Sequence, residues 1–315
     1  MDSLKVTILL STYNRSHLIS DTLDSLINQT FFNWECLIID DNSEDNTSNV
    51  VENYTLKDSR FSYYLKPNSL GKGLSSSRNY GLTLARTRDT DFIQFFDDDD
   101  LMHPKKLEIQ LKLLTENPQF QFCLCGTRNF ITVDEIKWNE IQIRKPLGDY
   151  ILGEAYLKGI WRFVAQVPLF RFKYASNFCF DEDLFYAEEW ALFSMQFLLT
   201  PPQFAITNRV LFYRRKHENS QTERKDEDFS RRKTSAIVEL KIFEFLTFHN
   251  IHTKVTLFYF TRKFLFYNHD SDILAKIKIQ LLSHPSINRI DYLKFQLALF
   301  LYSGLKKIIL KLFNY

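Results

Sequence analysis

The chain has 315 residues, enough for one large domain plus an appendage or for two modest ones. Its 45% hydrophobic and 25% charged residues are the proportions of a folded globular protein, which sets aside a disordered or fibrous chain. With 40 basic residues against 38 acidic ones the net charge is +2, which gives no global basis for binding nucleic acid.

The N-terminal "MDSLKVTILLSTYNRS" has neither a basic leader nor a long apolar run, so no signal peptide is expected. No uncharged apolar stretch reaches the ~18 residues of a spanning helix, so none is predicted. Val6 to Leu10 is a short, continuous apolar run, the pattern of a strand buried on both faces. Asn14 or Ser16 can cap the next segment, where Leu18, Ile19, Leu23, Leu26 and Ile27 mark a helical stripe. "CLIID" (36–40) is a second buried strand, followed by polar "DNSEDNTSN" and a helix through Val50 and Val51. "FSYYL" (61–65) reads as a third strand, and past Gly71 and Gly73 "LSSSRNYGLTLAR" can form a helix. "DFIQFF" is a fourth strand, and Pro104 opens a helix carrying Leu107, Leu111 and Leu114 on one face. This alternation predicts an α/β fold, a mostly parallel central sheet with helices on both faces.

From about residue 130 to 180 the periodicity weakens and predicts no elements. "AEEWALFSMQFLL" (187–199) is a helix stopped by Pro201 and Pro202, and "AITNRVLFYRRK" a strand or hairpin. Polar "ENSQTERKDED" (218–228) marks a boundary, which divides the chain into an α/β domain (1–222) and a C-terminal helical region (223–315). Phenylalanine is unusually frequent, 30 residues, and much of the excess falls after residue 160. "FQLALFLYSGLKKIILKLF" (295–313), with the asparagine after it, sets Ser303, Lys307, Lys311 and Asn314 on one face and apolar residues around the rest. That is the pattern of a peripheral membrane helix, and rather more readily of a helix packed on the α/β domain or on another copy of the chain, a homo-oligomer. Of the four cysteines, Cys36, Cys123, Cys125 and Cys179, none shows C-x-x-C spacing. Cys123 and Cys125 alternate in an apolar stretch as core thiols would, in keeping with a reducing, cytoplasmic compartment.

Three polar clusters directly follow three buried strands: "STYN" (11–14), "DDNS" (40–43) and "DDDD" (97–100). Open parallel sheets bind ligands at the carboxyl ends of their strands. Any one cluster is explained by turn chemistry, a helix cap or a solvated loop, but three at one edge mark a site. Four adjacent carboxylates repel one another, and a hard divalent cation with oxygen ligands would relieve them. The spacing is not that of an EF-hand, whose glycine and terminal glutamate are missing.

Taken together, "VTILLSTYNRSHLISDTLDSLINQTFFNWECLIIDDNSEDNT", "GLSSSRNYGLTLA" and "FFDDDDLMHPKKLE" closely resemble the family-2 glycosyltransferases of the GT-A fold, over roughly residues 4 to 220. The resemblance implies an inverting, metal-assisted transfer of a sugar from a nucleotide donor, UDP-linked, to a glycan or lipid-linked acceptor, with Mn²⁺ or Mg²⁺ as cofactor. It places the enzyme in the cytoplasm, against the inner face of the membrane if the C-terminal helices dock there.

The same resemblance assigns residues. Ser11 and Tyr13 would line the nucleotide pocket, Tyr13 by stacking on the base. Asp41 would accept a hydrogen bond from the uracil imide, and Arg78 would approach the diphosphate. The D-x-D signature falls on Asp97 and Asp99 as metal ligands, with Asp98 between them on the nucleotide side. Asp99 is the direct metal contact, because D-x-D-D-x-x-x-P then ends at Pro104. Asp100 would orient its neighbours or meet the donor sugar. The family's acidic pair at a helix start falls on Glu188 and Glu189, glutamates where Glu-Asp is common, with Glu189 as the base. A bare helix start would also favour such a pair through its dipole. "FYRRKHENSQT" resembles the family's tyrosine–arginine–x–histidine segment with one extra basic residue. Tyr213, Arg214 and His217 would close over the diphosphate, His217 adding a metal ligand. Trp161 and Trp190 are a sugar platform or core residues. The rival readings are a non-catalytic nucleotide-sugar-binding scaffold and a nucleotidyltransferase. The latter wants a glycine-rich loop after the first strand, and "LSTYNRSH" has no glycine.

Overall fold

Seven consecutive buried residues, Val6–Thr12, form β1 at the middle of the parallel part of a sheet. β2 (Trp34–Asp40) and β4 (Phe92–Asp97) run parallel on either side, with Leu10 opposite both Ile38 and Phe96. β3 (Phe61–Leu65) adds to β2, also parallel. Strands covered on both faces have no polar side to alternate, which is why they read as unbroken apolar runs. The computed structural model describes residues 3–139, 151–184, 186–216, 228–264 and 271–301.

Helices α1 (Ile19–Ile27), α2 (Thr47–Lys57), α3 (Leu74–Ala85) and α4 (Lys106–Glu116) follow β1, β2, β3 and β4 in turn. α3 lies close against the sheet at Gly81, where an added Cβ would stand 3.1 Å from the Ile39 side chain and 3.4 Å from that of Leu9. The second half of the sheet is mixed. β6 (Phe122–Phe130) runs parallel to β8 (Phe204–Arg215), with register shifts around Gly126. Two short strands are antiparallel: β7 (Leu169–Arg171), inserted between β4 and β6, and β5 (Leu101–Met102), on the edge of β8. The order is β3-β2-β1-β4-β7-β6-β8-β5. Cys123 and Cys125 are buried on β6, as their alternation predicts. Where periodicity predicts nothing, the elements are too short to carry a period: α5 (Leu152–Leu157), β7 and α6 (Phe172–Ala175).

The chain parts into two units. The first, Met1–Gly148, Arg162–Leu192 and Pro202–Asp228, holds the sheet. The second comprises Asp149–Trp161, Phe193–Pro201 and Phe229–Tyr315. The last crossing falls between Asp228 and Phe229, and two short earlier pieces join the C-terminal helices. α7 (Glu188–Leu199) begins in the first unit and ends in the second.

Within the second unit are α5, α8 (Asp228–Phe248), α9 (Lys254–Lys263), α10 (Ser271–Ser283) and α11 (Arg289–Leu301). Its core accounts for part of the phenylalanine excess. Phe243 meets Phe260 at 5.3 Å and Phe264 at 6.1 Å between ring centroids, and Tyr156 meets Phe193 and Phe197 at 5.7 and 5.8 Å. Gly153 is required here, because a Cβ would come within 2.9 Å of the Leu198 backbone nitrogen. Thr253 caps α9 in a reciprocal box with Thr256 and donates its hydroxyl to Glu154 at 2.6 Å. Among the described residues no helix is long and apolar enough to cross a membrane. The basic face proposed at Ser303, Lys307, Lys311 and Asn314 lies outside the described residues.

Candidate active site

The in-register ends of β1, β2 and β4 bring the three polar clusters to one edge: Ser11 pairs with Ile39 on one side and Asp97 on the other. The first two clusters are joined by turn chemistry. Asn14 and Asn42 adopt left-handed backbone (φ 53° and 61°), which asparagine tolerates, and the Asn14 side-chain oxygen accepts the Glu44 amide at 2.8 Å. Asp40, the last residue of β2, accepts the Ser43 amide at 2.7 Å and the Tyr63 hydroxyl at 2.7 Å.

The residues expected at the nucleotide divide. Tyr13 is 43% exposed, as a stacking face must be. Ser11 is buried, and its hydroxyl has no hydrogen-bond partner. Asp41 is buried with both oxygens engaged by the protein: Oδ1 lies 2.5 Å from Lys66 Nζ, and Oδ2 accepts the Gly73 amide at 2.7 Å. Lys66 itself is 1% exposed and also donates to the Gly71 carbonyl at 2.7 Å. No motif announces Lys66; its place directly after the third strand, at the same sheet edge, was the available signal.

β4 ends at Asp97 and the chain turns at Asp98 and Asp99; Asp98 and Asp100 are buried, Asp97 and Asp99 half-buried. Asp98 accepts the Tyr13 amide at 3.2 Å and lies 3.3 Å from Arg15 Nε; burial and the charge of Asp99 push its carboxyl up to about 8. Asp100 accepts the Arg215 amide at 2.9 Å, while its carbonyl takes the Thr22 hydroxyl, so it braces the run from inside. Burial also raises Asp97, whose oxygens meet Arg78 at 3.1 Å and the Gln166 side-chain amide. Gln166 is 3% exposed and, like Lys66, carries no motif. The backbone of Asp99 accepts from Arg215 Nε at 2.9 Å.

On β8 the expected closure over a diphosphate divides as well. Tyr213 is fully buried and donates its hydroxyl to the Lys137 carbonyl at 3.0 Å, so it belongs to the core. Arg214 is half-buried, and its charge slightly offsets the burial and the neighbouring carboxylates that raise Asp97 and Asp100. His217 lies outside the described residues. Among the described residues no group of three or more His, Cys, Asp or Glu side chains is arranged to hold a metal.

Glu188 and Glu189 open α7 just after Ala187, which is held at φ 61°. The residue they meet is Arg78 of α3, 1% exposed, which lies 3.3 Å from Glu188, 2.9 Å from Glu189 and 3.1 Å from Asp97. Arg78 thus faces three carboxylates. Burial alone would lower its pKa, but Asp97, Glu189 and Glu188 outweigh this and raise it, so it stays charged. Burial lifts Glu189 to about 7; Arg78 pulls it down, and Glu188 and Asp97 push it up. The ionisation of Glu189 is therefore set by burial against a buried arginine rather than by the helix dipole alone. Trp190 is 8% exposed with the Arg162 guanidinium 4.9 Å over its ring, which is packing, and Trp161 falls in the second unit.

The family model for glycosyl transferase family 2 matches residues 7–176, more than half of the chain, and the chain belongs to that family. Among its relatives, UDP-Glc:alpha-D-GlcNAc-diphosphoundecaprenol beta-1,3-glucosyltransferase WfgD of Escherichia coli is 39% identical over 117 residues, 37% of this chain and 44% of that one. GalNAc(5)-diNAcBac-PP-undecaprenol beta-1,3-glucosyltransferase of Campylobacter jejuni is 36% identical over 96 residues, 30% of each chain. The chain thus spans less than half the length of these relatives. Of solved structures, S. aureus TarS 1-349 in complex with UDP-GlcNAc has a TM-score of 0.62 at 18% identity, covering 94% of this chain and 92% of that one. Mannosyltransferase PcManGT from Pyrobaculum calidifontis, in complex with GDP-Man and Mn²⁺, has a TM-score of 0.53 at 16% identity, covering 99% and 86%. At such identities the likeness is one of fold: an α/β sheet flanked by helices with a helical C-terminal region, the class the alternation predicts.

Proposed function

We propose that this chain transfers a sugar from a UDP-linked donor to a hydroxyl of a lipid-linked glycan, by one inverting displacement with Glu189 as base. The observation that carries this reading is the Arg78 cluster: one buried guanidinium joins the end of the aspartate run to the acidic pair, so base and diphosphate end share one site. Two relatives are named as acting on undecaprenol-linked acceptors, and TarS is described with UDP-GlcNAc; those properties are carried here by kinship of family and fold. An acceptor of that kind would set the enzyme to work at a membrane surface, with cytoplasmic nucleotide sugar as its donor.

The donor set fits a hard divalent cation. Asp97 and Asp99 offer oxygen ligands, and burial, with repulsion within the run, raises Asp97 and Asp98 despite Arg78 and Arg15. Such carboxylates suit Mn²⁺ or Mg²⁺ held by one or two of them together with substrate phosphates. Asp97 and Asp99 would hold the ion, with His217 as a further ligand, and the bound ion supplies positive charge to the leaving diphosphate. The chain's own residues do the rest. Tyr13 offers its face to the base, Ser11 its unpartnered hydroxyl, and Asp41 the edge recognition of uracil while Lys66 neutralises it. Glu189, ionised above about pH 7, takes the acceptor hydroxyl's proton as that oxygen attacks.

The test is donor hydrolysis and thermal stabilisation with UDP-glucose, UDP-GlcNAc and GDP-mannose, each with and without Mn²⁺. Mn²⁺-dependent UDP release from a UDP-sugar supports the reading. Stabilisation without turnover, even with lipid-linked acceptors, leaves the non-catalytic scaffold, and no response to any nucleotide sugar overturns both.

A further inference from the structure

Arg78 faces three carboxylates, Lys66 is buried against Asp41, and Arg15 lies against Asp98. Resting on the UDP-sugar reading, we infer that Lys72 is the cation that receives the donor's diphosphate. Lys72 is exposed, and it stands between two glycines whose backbones are both held by the buried Asp41–Lys66 pair: Lys66 donates to the Gly71 carbonyl at 2.7 Å, and Asp41 accepts the Gly73 amide at 2.7 Å. Gly73, at φ 112°, makes a turn that a side chain would strain. The pair that borders the expected base pocket thus also fixes where Lys72 is presented.

Its position between the two ends of the site is what assigns the ligand. On one side the Lys72 ammonium lies 5.9 Å from the centre of the Tyr13 ring, the face offered to the base. On the other side, Lys72 shares the lining of a cavity of about 70 Å³ with Glu188 of the acidic pair. A nucleoside diphosphate sugar runs in that order, from base through diphosphate to the reacting carbon, and Lys72 stands where its middle must pass. The same cavity is lined by Gly73 and Ser75 at the start of α3, and the Ser75 hydroxyl is 5% exposed and has no partner. A helix N-terminus with an unpartnered hydroxyl favours an anion.

Two carboxylates, Glu182 and Glu188, also line the cavity, the first bound by Asn79 at 2.9 Å and the second by Arg78 at 3.3 Å. Both carboxylates are thus engaged within the protein, and the diphosphate would lie on the side of Lys72 and Ser75.

The experiment compares binding of UDP, by calorimetry, and of uridine, by ligand-observed NMR, to the unmodified chain, Lys72→Met and Lys72→Arg at fixed Mn²⁺. Lys72→Met is expected to weaken UDP about tenfold or more, the worth of a charge-assisted contact, while uridine is unchanged and Lys72→Arg recovers most of the loss. The salt dependence of UDP binding should also flatten in Lys72→Met. UDP binding undiminished in Lys72→Met overturns the assignment. A parallel loss of UDP and uridine overturns it too, since Lys72 would then serve the base platform. If the unmodified chain binds neither UDP nor GDP, the donor reading itself has failed.

Discussion

Arg78 NH1 lies 2.9 Å from Oε1 of Glu189, although 111 positions separate the two residues and Arg78 is 1% exposed. This contact holds the proposed base ionisable in a buried place, and it ties α3 to the start of α7. Glu189→Gln keeps the shape and removes the basicity. Turnover should fall by roughly a hundredfold or more, the usual worth of a positioned base, with UDP affinity unchanged. Glu188→Gln should do less. Steady-state kinetics of both variants decide the order, and near-normal turnover in both would remove the acidic pair from the chemistry.

The pH profile follows from the same contact. Burial lifts the Glu189 carboxyl to about 7, so below that pH it is protonated and cannot accept a proton. The rate at low donor concentration should therefore rise with pH through about 7 and level off above it. Arg78→Met removes the charge that pulls Glu189 down, so any residual activity should show its rise at higher pH. That variant also leaves three carboxylates without their shared partner and should melt well below the unmodified protein.

Asp99→Asn should abolish transfer and leave the fold intact, since Asp99 is half-buried, asparagine keeps its shape, and the backbone carbonyl still accepts from Arg215. Mn²⁺ should raise the melting temperature of the unmodified chain only when a nucleoside diphosphate is present, because the proposed ion is shared between the carboxylates and the substrate phosphates. Full activity in excess chelator would contradict this.

Asp41 and Lys66 should behave as one buried pair. Asp41→Ala strands a lysine that is 1% exposed, and Lys66→Met strands the carboxylate. Each single change should cost roughly 3–5 kcal/mol, and the double variant should recover much of it, as denaturant titration of the full cycle would show. A loss of UDP binding in Asp41→Ala is therefore interpretable only beside its stability. Additive single effects would mean that the pair is not coupled.

In the second unit, His252 sits between the Thr247 and Thr256 hydroxyls, and burial and His284 lower its pKa to about 4 from an ordinary 6.5. As pH falls, the unfolded chain takes up the proton first, so the contribution is complete above about 6.5 and lost progressively down to about 4. It amounts to roughly 3 kcal/mol. Melting curves between pH 7.5 and 4.5 should show the decline, and His252→Gln should lose less over that range.

Much of the site is legible in the chain because parallel strands buried on both faces cannot hide their ends. The runs at Val6, Cys36 and Phe92 stop at Ser11, Asp41 and Asp97, and in-register pairing carries these to one edge. Glycine positions, the strand–helix alternation and the acidic start of α7 are similarly local. Tyr213 shows where local pattern fails: it sits in a basic, polar-looking stretch, yet β8 lies within the sheet and turns that side chain into the core.

What only the tertiary structure decides is which charges neutralise which. Sequence places an arginine on α3 and carboxylates after β4 and at α7, but charge pairing depends on distance in space, and the Arg78–Glu188 contact closes a separation of 110 residues. Lys66 and Gln166 belong to no motif and become site residues only because folding buries them against Asp41 and Asp97. Burial then makes each such pairing obligatory, since a charge removed from water must find its partner inside the protein. That requirement turns Arg78 toward three carboxylates, while Lys72, outside the core, stays exposed.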